Sequence, residues 1–288
     1  MGIVGEPGAI SWDGQRLAYT SYGAGDRVTV LLPGLLLAQT MQAPLARELA
    51  AGGNRVVTLD PLGHGLSSRP GGTWRYSMGA FARQTLALLD HLGAERAVVG
   101  GTSLGANVTL ELAVRAPERV AGMIVEMPVL DNAIPAAAAT FTPLLLALRY
   151  GQPGMRALAR AAAVVPRRPL PFLAGIGLDW LAQDPVPSAA VLGGMLYGRV
   201  APDRDERRAL TAPALVIGHS RDPLHPFSDA DMLTRELPDA TLIHARSVLE
   251  LRLSPKRLTG RIAEFVAGCW DRADARSAKR RGTSSRRG

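Results

Sequence analysis

Several things are scarce in this 288-residue chain, and each scarcity removes a class of protein. Cys269 is the only cysteine, so neither a disulfide framework nor a cysteine-based metal cluster is available. Five scattered histidines supply no familiar ligand spacing, and no metal is expected. Aromatic residues make up only 5%, which leaves Ala, Leu and Val to fill any core. No apolar run reaches the roughly 18 residues of a membrane span, since the longest, Val28 to Ala38, is broken by Pro33. The N-terminus has neither a basic start nor an apolar signal segment, and Glu6 stands where myristoylation needs Ser or Thr. A cytoplasmic protein with no membrane span is therefore expected. No Gly-rich phosphate loop follows an early strand, so no nucleotide or other cofactor is implied.

What is present is a globular composition, 47% hydrophobic and 20% charged, with a formal net charge of +8. The charge is concentrated. Residues 271–288 hold seven basic and two acidic side chains, so most of the excess lies in this terminal stretch. With so few apolar residues it reads as a basic disordered tail, and a specific nucleic-acid partner is not expected.

Before the tail, strand-like and helix-like segments alternate. Arg16–Tyr22, Val28–Leu32, Arg55–Leu59, Ala97–Val99 and Val120–Val125 read as strands. Helices are expected over Ser77–Leu92 and Ala106–Arg115. Residues 128–210 lose the strand pattern and read as short helices. Strands then return at Ala214–Gly218 and Thr241–His244, before a last helix from Pro255 to Trp270. This order predicts an α/β fold with a mostly parallel central sheet and helices on both faces. The division expected is a core of 1–127 and 211–270, a helical lid of 128–210, and the tail of 271–288.

Gly101-Thr102-Ser103-Leu104-Gly105 forms Gly-x-Ser-x-Gly between an apolar strand and an apolar helix. That context suits a serine pushed out of the backbone on a sharp turn. With Asp60-Pro61-Leu62-Gly63-His64-Gly65-Leu66-Ser67 and Gly218-His219-Ser220-Arg221-Asp222-Pro223, the chain resembles the α/β-hydrolase fold family from about Ser11 to Ala267. The resemblance implies Ser103 as nucleophile and Asp222 as the acid of a triad. It implies an oxyanion hole from the N–H groups of Leu35 and Leu104, after the Leu31-Leu32-Pro33-Gly34 stretch, with His64 structural.

The family's histidine follows the last strand. Here that stretch, Ala240 to Pro255, puts Glu250 or Val248 at the expected place. Three residues could substitute as base: His225, three residues past Asp222; His244, inside the last strand; and Glu250, if burial raised its pKa. His225 is the one placed in the expected triad. The function expected is a serine hydrolase acting on a small or medium apolar ester, lactone or thioester. The alternative is a non-hydrolytic or ligand-binding protein on the same fold. Leu144, Leu145, Leu146, Phe172, Trp180, Met195 and Tyr197 are the candidate lid residues facing an apolar small-molecule substrate.

Overall fold

A computed structural model describes residues 3–166 and 170–284, with Phe172 and residues 276–284 described by backbone alone. The chain starts with a hairpin, β1 (Glu6–Trp12) and β2 (Gln15–Tyr22). Asp13 and Gly14 close it, both at positive φ (49° and 69°), as a two-residue turn between twisted strands requires. The α/β core follows: β3 (Val28–Leu32), α1 (Ala43–Ala51), β4 (Arg55–Leu59), α2 (Met78–His91), β5 (Ala97–Thr102), α3 (Leu104–Arg115) and β6 (Val120–Glu126). Four helices are then inserted: α4 (Ile134–Tyr150), α5 (Gln152–Val164), α6 (Phe172–Leu181) and α7 (Pro185–Tyr197). The core resumes with α8 (Arg204–Arg208), β7 (Ala214–His219), α9 (Phe227–Glu236), β8 (Ala240–Ala245), α10 (Glu250–Leu253) and α11 (Lys256–Ser284).

The eight strands form one sheet in the order β1-β2-β4-β3-β5-β6-β7-β8. Only the β1/β2 and β2/β4 pairs are antiparallel. Strands β3, β5, β6 and β7 are buried along their whole length, which is why each reads as an almost continuous run of Val, Ile, Leu, Ala and Gly. One face packs against α2 and α3, the other against α1 and α11. After β3 the chain places β4 on one side, then crosses to lay β5 on the other. The crevice beyond the C-terminal ends of β3 and β5 is such a sheet's natural site for a ligand.

The C-terminal stretch departs from expectation. Residues 271–284 continue α11 rather than forming a disordered tail; 285–288 lie outside the described residues. A buried stripe, Leu258, Ile262, Val266, Cys269 and Ala273, carries the helical spacing past Trp270 as far as Ala273. Arg27 pins the same turn through Asp271 (3.3 Å) and Asp274 (2.6 Å).

Candidate active site

Strand β5 runs three residues beyond its sequence reading, through Gly100, Gly101 and Thr102, and delivers Ser103 at the start of α3. Ser103 sits at φ 54°, ψ −107°, a conformation costly for any residue with a side chain, by about 1–3 kcal/mol. The turn closes only because its neighbours lack Cβ atoms. One on Gly101 would lie 2.6 Å from the Gly105 carbonyl carbon, and one on Gly105 2.6 Å from Leu32 O. Ser103 N–H donates to Glu126 O (2.8 Å), and Ser103 O accepts from Asn107 N–H (3.1 Å), fixing the bend from both sides.

Asp222 and His225 stand on the loop between β7 and α9. Asp222 Oδ1 accepts from the N–H groups of Leu224 (2.9 Å) and His225 (3.0 Å), an Asx-type turn that folds the loop on itself. The other oxygen, Oδ2, lies 2.9 Å from His225 Nδ1. His225 Nε2 lies 2.9 Å from Ser103 Oγ. Burial opposes the Asp222 charge, but hydrogen bonds from His225 outweigh it and hold the carboxyl below its ordinary range. The loop thus brings Ser103, His225 and Asp222 into one connected chain.

The other sequence candidates lie elsewhere. His244 Nε2 bonds Ser220 Oγ, and its ring lies 4.6 Å from that of Phe227. Glu250 is paired to Arg257 (2.7 Å), which holds its carboxyl below its ordinary value, the reverse of what a base would need. His64 is fully buried, with Nδ1 3.0 Å from Leu62 O, and burial pushes its pKa down to about 4. Its loop is tied by Asp60, which accepts from Gln39 N–H (2.6 Å) and Leu66 N–H (2.9 Å).

Leu35 and Leu104 line one cavity with Ser103. Leu35 is held by a turn in which Leu37 N–H donates to Gly34 O (3.0 Å), with Leu36 at φ 57°. The cavity, about 70 Å³, has walls from Met78, Val129, Phe141, Leu192, Met195 and Leu196. Its one amide, Asn107, donates to Val129 O and Val200 O and accepts from Val129 N–H, so the amide is already engaged. Of the expected lid residues whose side chains are described, only Met195 lines it. Leu145 is buried, while Leu146 and Tyr197 point outward, and the Phe172 side chain lies outside the described ones. Phe141 and Leu192 do the lining because they occupy the inner faces of α4 and α7.

Sequence reading missed a polar cluster beneath the serine. Arg252 donates to Thr102 Oγ1 and to Glu126 Oε2, both at 2.9 Å. Thr102 Oγ1 also donates to Glu126, and Gln42 donates to Thr102 Oγ1 (3.1 Å). Burial would raise the Glu126 pKa, but the Arg252 guanidinium, the His219 ring 3.7 Å away and the hydrogen bond from Thr102 reverse this and hold it at about 2. Arg252 belongs to the segment where the family would carry its histidine. Only the charge at the end of an apolar strand, Glu126, could have hinted at a buried partner. Among the described residues, no group of His, Cys, Asp or Glu is arranged to hold a metal ion, and no helix is long and apolar enough to cross a membrane.

Residues 28–170 match the alpha/beta hydrolase fold family. A proposed carbamate hydrolase, RutD, of Caulobacter sp. (strain K31) is 31% identical over 239 residues, 76% of this chain and 82% of that one. A proposed non-heme haloperoxidase of Mycobacterium phage D29 is 35% identical over 113 residues, so the match spans only 39% of that protein. Among solved structures, the enol-lactonase of Burkholderia xenovorans LB400 superposes with a TM-score of 0.74 at 23% identity, over 90% of this chain and all of that one.

Proposed function

Since the chain belongs to the α/β-hydrolase fold family, we propose that it is a serine hydrolase, cleaving small or medium esters, lactones or thioesters with an apolar acyl part. The observation that carries this is the unbroken line from Ser103 Oγ through His225 to Asp222, 2.9 Å at each step. Asp222 holds the imidazole proton on Nδ1, which leaves Nε2 free to accept the serine proton. Ser103 Oγ attacks the substrate carbonyl as His225 takes its proton. The N–H groups of Leu35 and Leu104 receive the negative charge that grows on the carbonyl oxygen. His225 then passes the proton to the leaving alcohol or thiol, and an acyl-serine remains. Water attacks that ester by the same route, giving its proton to His225, which returns it to Ser103 Oγ as the Oγ–acyl bond breaks and the acid leaves.

The lining of the cavity supports the acyl preference. Its described walls carry hydrocarbon and one engaged amide, with nothing to pair a carboxylate or an ammonium. Charged acyl groups would be desolvated there without compensation. The helices α4–α7 act as the lid, and the cytoplasm remains the compartment of this reading. No cofactor enters the scheme.

The test is covalent labelling by a fluorophosphonate, followed by hydrolysis of p-nitrophenyl esters of increasing chain length. Wild type labels at Ser103, and Ser103→Ala and His225→Ala do not. A folded wild-type protein that neither labels nor turns over any ester overturns the reading and leaves a ligand-binding protein in its place.

A further inference from the structure

We propose that the outer face of α4, α5 and α6 docks on an anionic phospholipid surface. This goes beyond the hydrolase reading and does not depend on it. Helices α4 to α6 and their connections, residues 134–181, hold five arginines and one acidic residue, Asp179 on α6. Three of them, Arg149, Arg156 and Arg160, are exposed on α4 and α5. Arg167 and Arg168 lie outside the described residues, and the proposal rests on the other three.

Helix α4 buries Leu145 and Leu148, but other apolar side chains of these helices are left in solvent. Helix α5 turns Ala159 and Ala162 inward, with Met155 half-buried on the same line. At about 100° per residue, Ala157 and Val164 then face outward, Arg156 and Arg160 stand on one flank, and Leu158 stands on the other. Val164 is 80% exposed and Leu158 45%. Next to them, Tyr150 (75%) and Leu146 (51%) form a ridge on α4. Helix α6 is apolar along nearly all its length, and none of its described side chains is buried.

Apolar residues flanked by arginines on a surface helix match the boundary between headgroups and acyl chains. There the hydrocarbon enters the interface and the guanidinium groups stay with the phosphates. The two other plausible occupants fit less well. A second copy docked face to face would set arginine against arginine. A nucleic acid would satisfy the arginines but leave Leu158, Val164 and Tyr150 against a charged backbone. The cytoplasmic leaflet, rich in anionic lipid, offers both complements. The docked face is the back of the roof over the cavity, because Phe141 on the inner side of α4 lines that cavity.

The experiment is co-sedimentation of the full chain with phosphatidylcholine vesicles, with and without about 30 mol% phosphatidylserine. Wild type binds the anionic vesicles, and binding weakens as salt rises from about 0.05 to 0.5 M. The R156E/R160E pair lowers binding at least tenfold, and the L158S/V164S pair lowers it without changing its salt dependence. Both pairs keep the wild-type circular dichroism and urea-unfolding midpoint, which shows intact folding. A third variant, K279Q/R280Q/R281Q, binds as wild type does. Loss of binding in that variant with no effect of the α5 substitutions would assign the membrane contact to the C-terminal helix and overturn the proposal. So would equal binding to neutral vesicles, no binding at all, or a dimer in light scattering that the α5 substitutions dissociate.

Discussion

On the proposed mechanism, Ser103 and His225 form a pair, and variants lacking either should fail in the same way. His225→Ala leaves a neutral serine hydroxyl without an acceptor, and kcat should fall by about 10³ or more with KM little changed. Steady-state hydrolysis of a chromogenic ester measures this, and a variant within tenfold of wild type would remove His225 from the mechanism. Asp222→Asn should cost nearly as much, because the amide no longer fixes the proton on Nδ1. Arg252 makes a different kind of prediction. Arg252→Met strands the Glu126 carboxylate in the core, with a loss of about 3–5 kcal/mol in urea unfolding at neutral pH. The double variant R252M/E126Q should recover much of that loss. Ser103 and Asp222 were legible in the sequence because each sits in a local pattern of strand, turn and helix. His225 was legible only as one of three candidates, since its distance to the serine is set by tertiary packing. Glu126 and Arg252 could not be paired from the sequence, because 126 residues separate them.

At the level of elements, the strands that were easiest to read are those buried on both faces, where apolar residues run on without alternation. Strand β1 was missed because it is an edge strand carrying Pro7 and Gly8, residues that a central strand disfavours. The last residues of β5 were missed because two glycines suggest a turn. Parallel pairing with β3 and β6 keeps them extended until Ser103. The inserted helices are tied to the core at one point that suits a test. Gln183, between α6 and α7, donates to Leu36 O and accepts from Arg69 (2.7 Å), which also donates to Gly65 O (2.8 Å). Gln183→Ala should leave global stability within about 1 kcal/mol of wild type. It should nevertheless speed trypsin cleavage at Arg149, Arg156 or Arg160 by several-fold. An unchanged cleavage rate would mean that the tie does not restrain the insertion.

For the whole molecule, the clearest expectation concerns acid. His64 is neutral when folded, because burial lowers its pKa from 6.5 to about 4. Below pH 6.5 the unfolded chain takes up a proton that the folded chain refuses. Stability should therefore decline as pH falls from about 6.5 to 4, by about 3 kcal/mol from this group, and then level off. Glu126, held at about 2 instead of 4.5, extends the loss across the range below pH 4.5. Urea midpoints taken from pH 7 to pH 4 should show the decline, and His64→Gln should flatten its upper part. An identical slope in that variant would assign the decline to other groups. One further property follows from the loop that carries Asp222 and His225. With only Pro223 and Leu224 between them, the two side chains ride on one short turn that Asp222 closes on itself. A shift of that segment moves both as one piece, so the imidazole keeps its orientation and only the gap to the hydroxyl opens or closes. On the proposed mechanism, the gap between Ser103 Oγ and His225 Nε2 is the one coordinate that decides whether the serine can give up its proton.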